Sequence, residues 1–222
     1  MKNEKRIERQ REFWEGRYSE DIELFGTSES EFARWSLPIM KRNEVKRIVE
    51  LGCGYGRDMR FFCLHGLSVS GCELTPSGAM QSKKVMNAIS PGCKIFSGDV
   101  FAFLSTLDNE SADCIYSNML YNMDFTKKQH MILFSEVERV LRPGGIHLYS
   151  VRSTSDQWYG KGKKLDDGVY DLHPDGAVMH FFSMEYAGTI RPPKLKFLHR
   201  QDAREGEGTF PISLIYFAEK KD

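Results

Sequence analysis

Gly52, Gly54 and Gly56 stand at alternate positions, after the apolar run Ile48–Leu51 and before a helix-like segment from Arg57. Glycine at that spacing permits a tight turn and lets a ligand approach the backbone with no Cβ in the way. Open α/β sheets bind ligands at the carboxyl ends of their strands, which makes this bend a candidate site. Its spacing is GxGxG, with the acid Glu50 just ahead. Dinucleotide loops instead read GxGxxG and set a pyrophosphate on a helix N-terminus. A second acid, Glu73, closes the next apolar run, about 20 residues past the first glycine, where ribose hydroxyls find an acceptor. A third acid ends the next run in Ser97-Gly98-Asp99-Val100. Asp99 there suits an adenine amino group, with the Val100 N–H beside it. Asn118 and Met119 end the fourth run and offer polar groups to the amino-acid end of an adenosyl ligand. Cys53, Arg57 and Leu74 flank these positions.

Each feature also has a plain structural reading. The glycines suit a structural turn, Glu73 a helix cap or a surface acid, and Asp99 ordinary turn chemistry. Their succession on four strand ends in order favours the joint reading, a site for a ligand with adenine, ribose, carboxylate and ammonium but no pyrophosphate.

The elements that must position these residues alternate in type. Strands are expected at Val45–Leu51, Leu67–Glu73, Lys94–Ser97, Ala112–Asn118 and Ile146–Val151. Helical patterns lie between them at Arg57–His65, Ser77–Ala88 and Thr126–Leu141. In the last, Met131, Phe134, Val137, Val140 and Leu141 form the expected apolar stripe, and Pro143-Gly144-Gly145 stops the helix. This alternation implies an α/β fold, a mainly parallel sheet covered on both faces. Residues 1–43, charged and aromatic, read as a helical N-terminal extension, and 44–222 as the main domain. Residues 153–179 lose the rhythm and are rich in glycine, aspartate and lysine, including Gly160, Gly162, Gly168 and Gly176. They read as an inserted loop suited to a lid. Lys194–His199 and Ile212–Ala218, joined across a polar loop from Asp202 to Thr209, suggest a closing antiparallel hairpin.

Composition narrows the function. The 222 residues suffice for one domain, and 31 basic against 31 acidic side chains give zero formal charge, which does not support a nucleic-acid partner. No apolar run approaches the ~20 residues of a membrane span. Cys53, Cys63, Cys72, Cys93 and Cys114 are odd in number and form no CxxC pair. Free thiols in a reducing, cytoplasmic setting are expected, with no metal site.

With these residues in place, the chain resembles the class I S-adenosylmethionine-dependent methyltransferases. Gly52-x-Gly54-x-Gly56 is similar to their first motif, Glu73 to the ribose-binding acid and Asp99 to the adenine-side acid. Ala112–Asn118 resembles the fourth-strand motif, and Leu141-Arg142-Pro143-Gly144-Gly145 the turn before the fifth strand. A narrower resemblance, to the tellurite-resistance and thiopurine-type small-molecule enzymes, rests on several shorter stretches. These are Trp14-Glu15-x-Arg17-Tyr18, Leu24-Phe25-Gly26, Ser30–Ala33, Ser150-Val151-Arg152, Tyr159–Gly162 and His180-Phe181-Phe182. After Phe182 the pattern departs, with Gly188 and Pro192-Pro193 leaving a short helix or none.

The resemblance implies a single-domain, Rossmann-like doubly wound sheet of seven strands, mostly parallel with the last antiparallel. It implies S-adenosylmethionine as cofactor, a small-molecule methyl acceptor, and in-line methyl transfer. Candidate substrate-side residues are Arg17, Tyr18, Tyr121, Arg152 and His180; Arg152 suits an anionic substrate, and His180 suits a substrate-orienting or proton-accepting role. A nicotinamide-dependent oxidoreductase, and a cofactor-binding regulatory protein without turnover, stay open as alternatives.

Overall fold

The computed structural model describes residues 2–172, 177–206 and 211–222. The chain opens with helix α1 (Lys2–Glu20) and helix α2 (Glu31–Arg42). Strands and helices then alternate: β1 (Arg47–Leu51), α3 (Arg57–Leu64), β2 (Ser68–Glu73), α4 (Pro76–Asn87), β3 (Ile95–Ser97), α5 (Val100–Ser105) and β4 (Ala112–Asn118). A 3-10 turn at Leu120–Asn122 leads to α6 (Lys127–Val140) and β5 (Leu141–Arg152). Three short strands follow, β6 (Lys163–Asp166), β7 (Val169–Asp171) and β8 (Val178–His180), then α7 (Met184–Ile190), β9 (Leu195–Glu205) and β10 (Ile212–Lys221).

The main sheet has seven strands in the order β3-β2-β1-β4-β5-β10-β9. β1 to β5 run parallel, and β10 lies antiparallel to both β5 and β9. The fold is the expected Rossmann-like one. The order reverses between β1 and β4, and ligands of such sheets gather at that switch point.

Side-chain alternation explains how two helical layers attach. Ile48, Cys114, Tyr116, Leu148, Leu214 and Tyr216 face one layer and pack with Phe32, Met40, Met59 and Phe62 of α2 and α3. Val49, Ile115, Tyr149, Val151, Ile215 and Phe217 face the other and meet Phe103, Leu133, Phe134 and Val137 of α5 and α6. Neighbouring residues therefore serve opposite cores, as the two-residue period of a strand requires. Each fully buried Leu, Ile or Phe contributes about 1.5–3 kcal/mol.

Three expectations need correction. Met131 is 50% exposed, because the buried stripe of α6 runs through His130, Leu133, Phe134, Val137 and Val140. Met131 sits about 100° further round the helix than His130. Residues 153–179 are not a bare loop: β6, β7 and β8 form a small antiparallel sheet. The closing hairpin is longer than expected, and its strands continue through the charged residues Arg200–Glu205 and Glu219–Lys221. Gly176, and Thr209 at the end of the hairpin loop, lie outside the described residues. The short helix after Phe182 is α7, with seven residues.

Truncating Phe134 to alanine should cost about 3–5 kcal/mol of unfolding free energy. Met131→Ala should stay within about 0.5 kcal/mol. Urea denaturation of both variants checks the placement of the stripe.

Candidate functional site

The bend after β1 is built by its glycines. Gly54 has φ +55°, and a Cβ there would stand 2.9 Å from the Tyr18 hydroxyl oxygen. The Gly54 N–H donates to Glu73 Oε2 at 2.9 Å, which ties the bend to the end of β2. Glu73 Oε1 accepts from the Thr75 N–H at 2.9 Å and its hydroxyl at 2.6 Å. Thr75 caps α4, so Glu73 is not that helix's cap. Asp99 does cap α5, accepting from Phe101 N at 2.9 Å and Ala102 N at 3.3 Å. Gly56 serves packing: a Cβ there would meet Ser82 Oγ at 2.7 Å.

A cavity of about 370 Å3 opens at these strand ends. Of the expected cofactor positions, Glu50, Gly52, Cys53, Gly54, Arg57, Glu73, Leu74, Asp99, Val100, Asn118 and Met119 line it. Gly56 does not. Among the substrate-side candidates Arg17, Tyr18 and Arg152 line the cavity. Tyr121 and His180 do not. Tyr121 is fully buried beneath the 3-10 turn, its hydroxyl 3.0 Å from His147 Nε2. His147 in turn lies 3.2 Å from Glu219 Oε2, which places Tyr121 in a polar network of the core. His180 is 2% exposed and packs at tilted angles among the rings of His130, Phe182 and Tyr186.

Acidic groups dominate the floor. Glu50 is 2% exposed, and its Oε2 has no hydrogen-bond partner among the described residues. Burial, reinforced by the Asp58 charge, holds the Glu50 carboxyl well above the usual carboxylate range. Asp58 is well satisfied by contrast. It accepts from Ser30 N and Ser30 Oγ, both at 2.7 Å, from the Tyr116 hydroxyl at 2.8 Å, and from Asn118 Nδ2 at 3.3 Å. Sequence reasoning missed Asp58, because an acid in the first turn of a helix is ordinary. Burial also raises the Glu73 carboxyl, opposed by the hydrogen bonds from Thr75 and Gly54. The Cys53 thiol is pushed well up by burial and stays protonated.

The roof is α1, fastened at both ends of the cavity. Glu15 accepts from the Ser77 N–H and hydroxyl at the start of α4. Arg6 makes a two-point ion pair with Asp124, and Trp14 Nε1 donates to Met123 Sδ at 3.0 Å. The turn after α1 is clasped to the glycine bend: the Tyr55 hydroxyl donates to the Gly26 carbonyl at 2.7 Å and Arg57 Nη1 to the Phe25 carbonyl at 2.6 Å. The small sheet supplies Ala177 and Met179 to the far wall.

Residues 48–145 match the model of a methyltransferase domain. Over this stretch, from β1 to the start of β5, the chain is similar to a methyltransferase domain. Solved methyltransferases share its fold at low identity. One from Methanosarcina mazei, described as S-adenosylmethionine-dependent, superposes with a TM-score of 0.67 at 16% identity, over 83% of this chain and 97% of that one. The 1,6-didemethyltoxoflavin-N1-methyltransferase of Burkholderia thailandensis gives 0.63 at 15%, over 87% and 79%. TehB of Haemophilus influenzae gives 0.61 at 15%, over 85% and 62%. A search of the curated proteins returns no match. Among the described residues no helix is long and apolar enough to cross a membrane.

Burial pushes His130 down to about 3 and His180 down to about 4. Both imidazoles should therefore remain uncharged at pH 5, followed by their ring carbon and nitrogen chemical shifts. Titration of either near 6.5 would contradict this burial.

Proposed function

We propose that this methyltransferase moves the methyl group of S-adenosylmethionine to a small-molecule acceptor inside the cavity beneath α1. The observation that carries this reading is the strand-end cavity with α1 lying along one side of it. At about 370 Å3 it lies at the low end of the roughly 300–1,000 Å3 of ligand pockets. With a donor in its strand-end half, the remaining room suits a small acceptor, whereas a polypeptide or nucleic acid would have to displace α1. A formal charge of zero likewise gives no broad basic face for nucleic acid. Five free thiols fit a reducing, cytoplasmic setting.

The residues fit the donor. Glu50 has a buried, unpartnered carboxylate oxygen aligned with a cationic amino-acid end, with Asn118 and Met119 beside it. Glu73 accepts three hydrogen bonds and, with about four lone-pair sites on a carboxylate, retains capacity for a ribose hydroxyl. Asp99, Leu74 and Val100 form the adenine end. Gly52 and Gly54 keep the backbone bare, Cys53 and Arg57 flank them, and Gly56 supports the bend from behind. We assign residues 1–43 to the N-terminal cover, 44–222 to the catalytic domain, and α1 with the 153–179 insert to a gate over the acceptor.

The cofactor supplies an activated methyl group, so the protein's task is position and environment. Alignment of nucleophile and methyl can remove roughly 7–11 kcal/mol from the barrier. Trp14, Tyr18 and Phe25 exclude water above the bend. Among the described residues that line the cavity, no histidine offers a general base. His180 lies outside the cavity, and Tyr18 is held in its phenol form by burial, which raises its pKa well above 10. An acceptor that is already nucleophilic, such as a thiolate, suits this surrounding.

Calorimetry with S-adenosylhomocysteine tests the reading, together with a coupled assay for its release across small thiols and peptides. Saturable binding, lost in Gly54→Val and reduced at least about tenfold in Glu73→Ala, is expected. Failure to bind at millimolar ligand, or turnover confined to peptides, would overturn it.

The raised Glu50 carboxyl adds a pH signature. Pairing with an ammonium favours the ionised acid, so ligand binding releases a proton and affinity falls as pH drops. The binding enthalpy should then vary with buffer ionisation enthalpy. Glu50→Gln should abolish that dependence, weaken binding about tenfold or more, and leave the fold at least as stable. Buffer-independent enthalpy in the wild type would contradict the assignment.

A further inference from the structure

Arg152 ends β5 and lines the cavity with its side chain only 14% exposed. Among the described residues its one ionic neighbour is Asp156, at 3.6 Å from Nη1. Asp156 is already engaged, accepting from Trp158 N at 2.9 Å and Ser213 N at 2.7 Å. The ion pair is therefore long and one-pointed, and Arg152 Nε is buried with no hydrogen-bond partner among the described residues. A guanidinium carries five donors in a fork that matches planar or tetrahedral oxyanions. Hiding one with a single long contact is unfavourable unless a further partner arrives.

The cavity lining also holds the apolar side chains of Trp14, Met123, Phe125 and Met179, together with a second arginine, Arg17, on α1. The acids stand elsewhere: Glu50 and Glu73 lie in the last residues of β1 and β2, and Asp99 follows β3. β5 lies on the other side of the sheet order, two strands from β1, or roughly 10 Å at about 4.8 Å per strand. The cavity is thus polarised, with carboxylates at the donor end and an under-partnered guanidinium in an apolar wall beyond it.

We propose that the acceptor is a small amphipathic anion, an aromatic or otherwise apolar body carrying a carboxylate or similar oxyanion that Arg152 holds. This rests on the proposed function above and names the substrate class for the same site. Arg152 sets specificity, while the apolar wall receives the body and presents its nucleophilic atom towards the donor.

The test titrates three probes of similar shape, benzoate, phenylphosphonate and benzamide, into protein saturated with S-adenosylhomocysteine, followed by calorimetry. The two anions should bind at least about tenfold more tightly than the amide. Arg152→Met should erase that preference and leave S-adenosylhomocysteine affinity within about twofold, which also reports a folded protein. Arg152→Lys, the milder variant, should keep a reduced preference. Equal binding of anions and amide, absence of anion binding, or a preference that survives Arg152→Met overturns the proposal. So does a selective loss of S-adenosylhomocysteine affinity in Arg152→Met, which would assign the arginine to the donor. If the wild type fails to bind S-adenosylhomocysteine at all, the proposed function itself falls, and this inference with it.

Discussion

Three carboxylates, Glu50 in β1, Asp58 in α3 and Glu73 in β2, are buried around the glycine bend, and most of the site follows from how each is compensated. Glu73 takes its hydrogen bonds from the Gly54 N–H and from Thr75, so it holds the glycine bend against the next strand. Asp58 is matched by the N-cap of α2, by Tyr116 in the sheet and by Asn118 at the end of β4. Its charge thereby pins α2, α3 and β4 together at the switch point. Glu50 alone retains an unpartnered oxygen. An unpaired buried carboxylate is unfavourable by itself, and the low dielectric that makes it so also strengthens any cation that arrives.

The roof follows from the same economy of contacts. α1 has charged residues along most of its length and cannot be held by apolar burial alone. Its fastenings are local and polar: Glu15 at the start of α4, Arg6 on Asp124 and Trp14 on a methionine sulfur. Partly exposed ion pairs of this type are worth little individually, about 0–1 kcal/mol. A cover fixed by several weak contacts can release without disturbing the sheet, whose cohesion comes from two fully buried apolar layers. α2 belongs to those layers instead: Phe32 stacks on Tyr116 with centroids 5.0 Å apart.

The parts legible in the sequence are those with a strong period or a backbone constraint. β4 was readable from end to end because every residue of Ala112–Ser117 is buried. The glycine bend announced itself because few other residues accept its conformation. The β6–β8 sheet was not legible, since Lys163-Lys164-Leu165-Asp166 is exposed throughout and has no alternation to detect. Tyr121 and His180 show a different limit. Both follow motif-like stretches, yet position along the chain does not say to which side of the sheet a side chain turns. Tyr121 points into the core towards His147 and Glu219, and His180 packs against His130. The reverse case is Asp58, an ordinary helix-start acid in sequence that becomes a junction only when Ser30 and Tyr116 arrive from distant segments.

What remains around the acceptor space is chemically quiet. The phenol of Tyr18 and the thiol of Cys53 are both kept neutral by burial. His130 and His180 are not among the residues that line the cavity, and burial lowers the pKa of both imidazoles. A protein that had to deprotonate a reluctant acceptor would need a base with a pKa near working pH, within hydrogen-bond reach of the reacting atom. Here the polar resources go instead to carboxylates on three strand ends and to the guanidinium groups of Arg17, Arg57 and Arg152. On the proposed reading that division suits a cationic donor and an acceptor that brings its own nucleophilicity, and the sheet would contribute chiefly by holding the two reactants end to end.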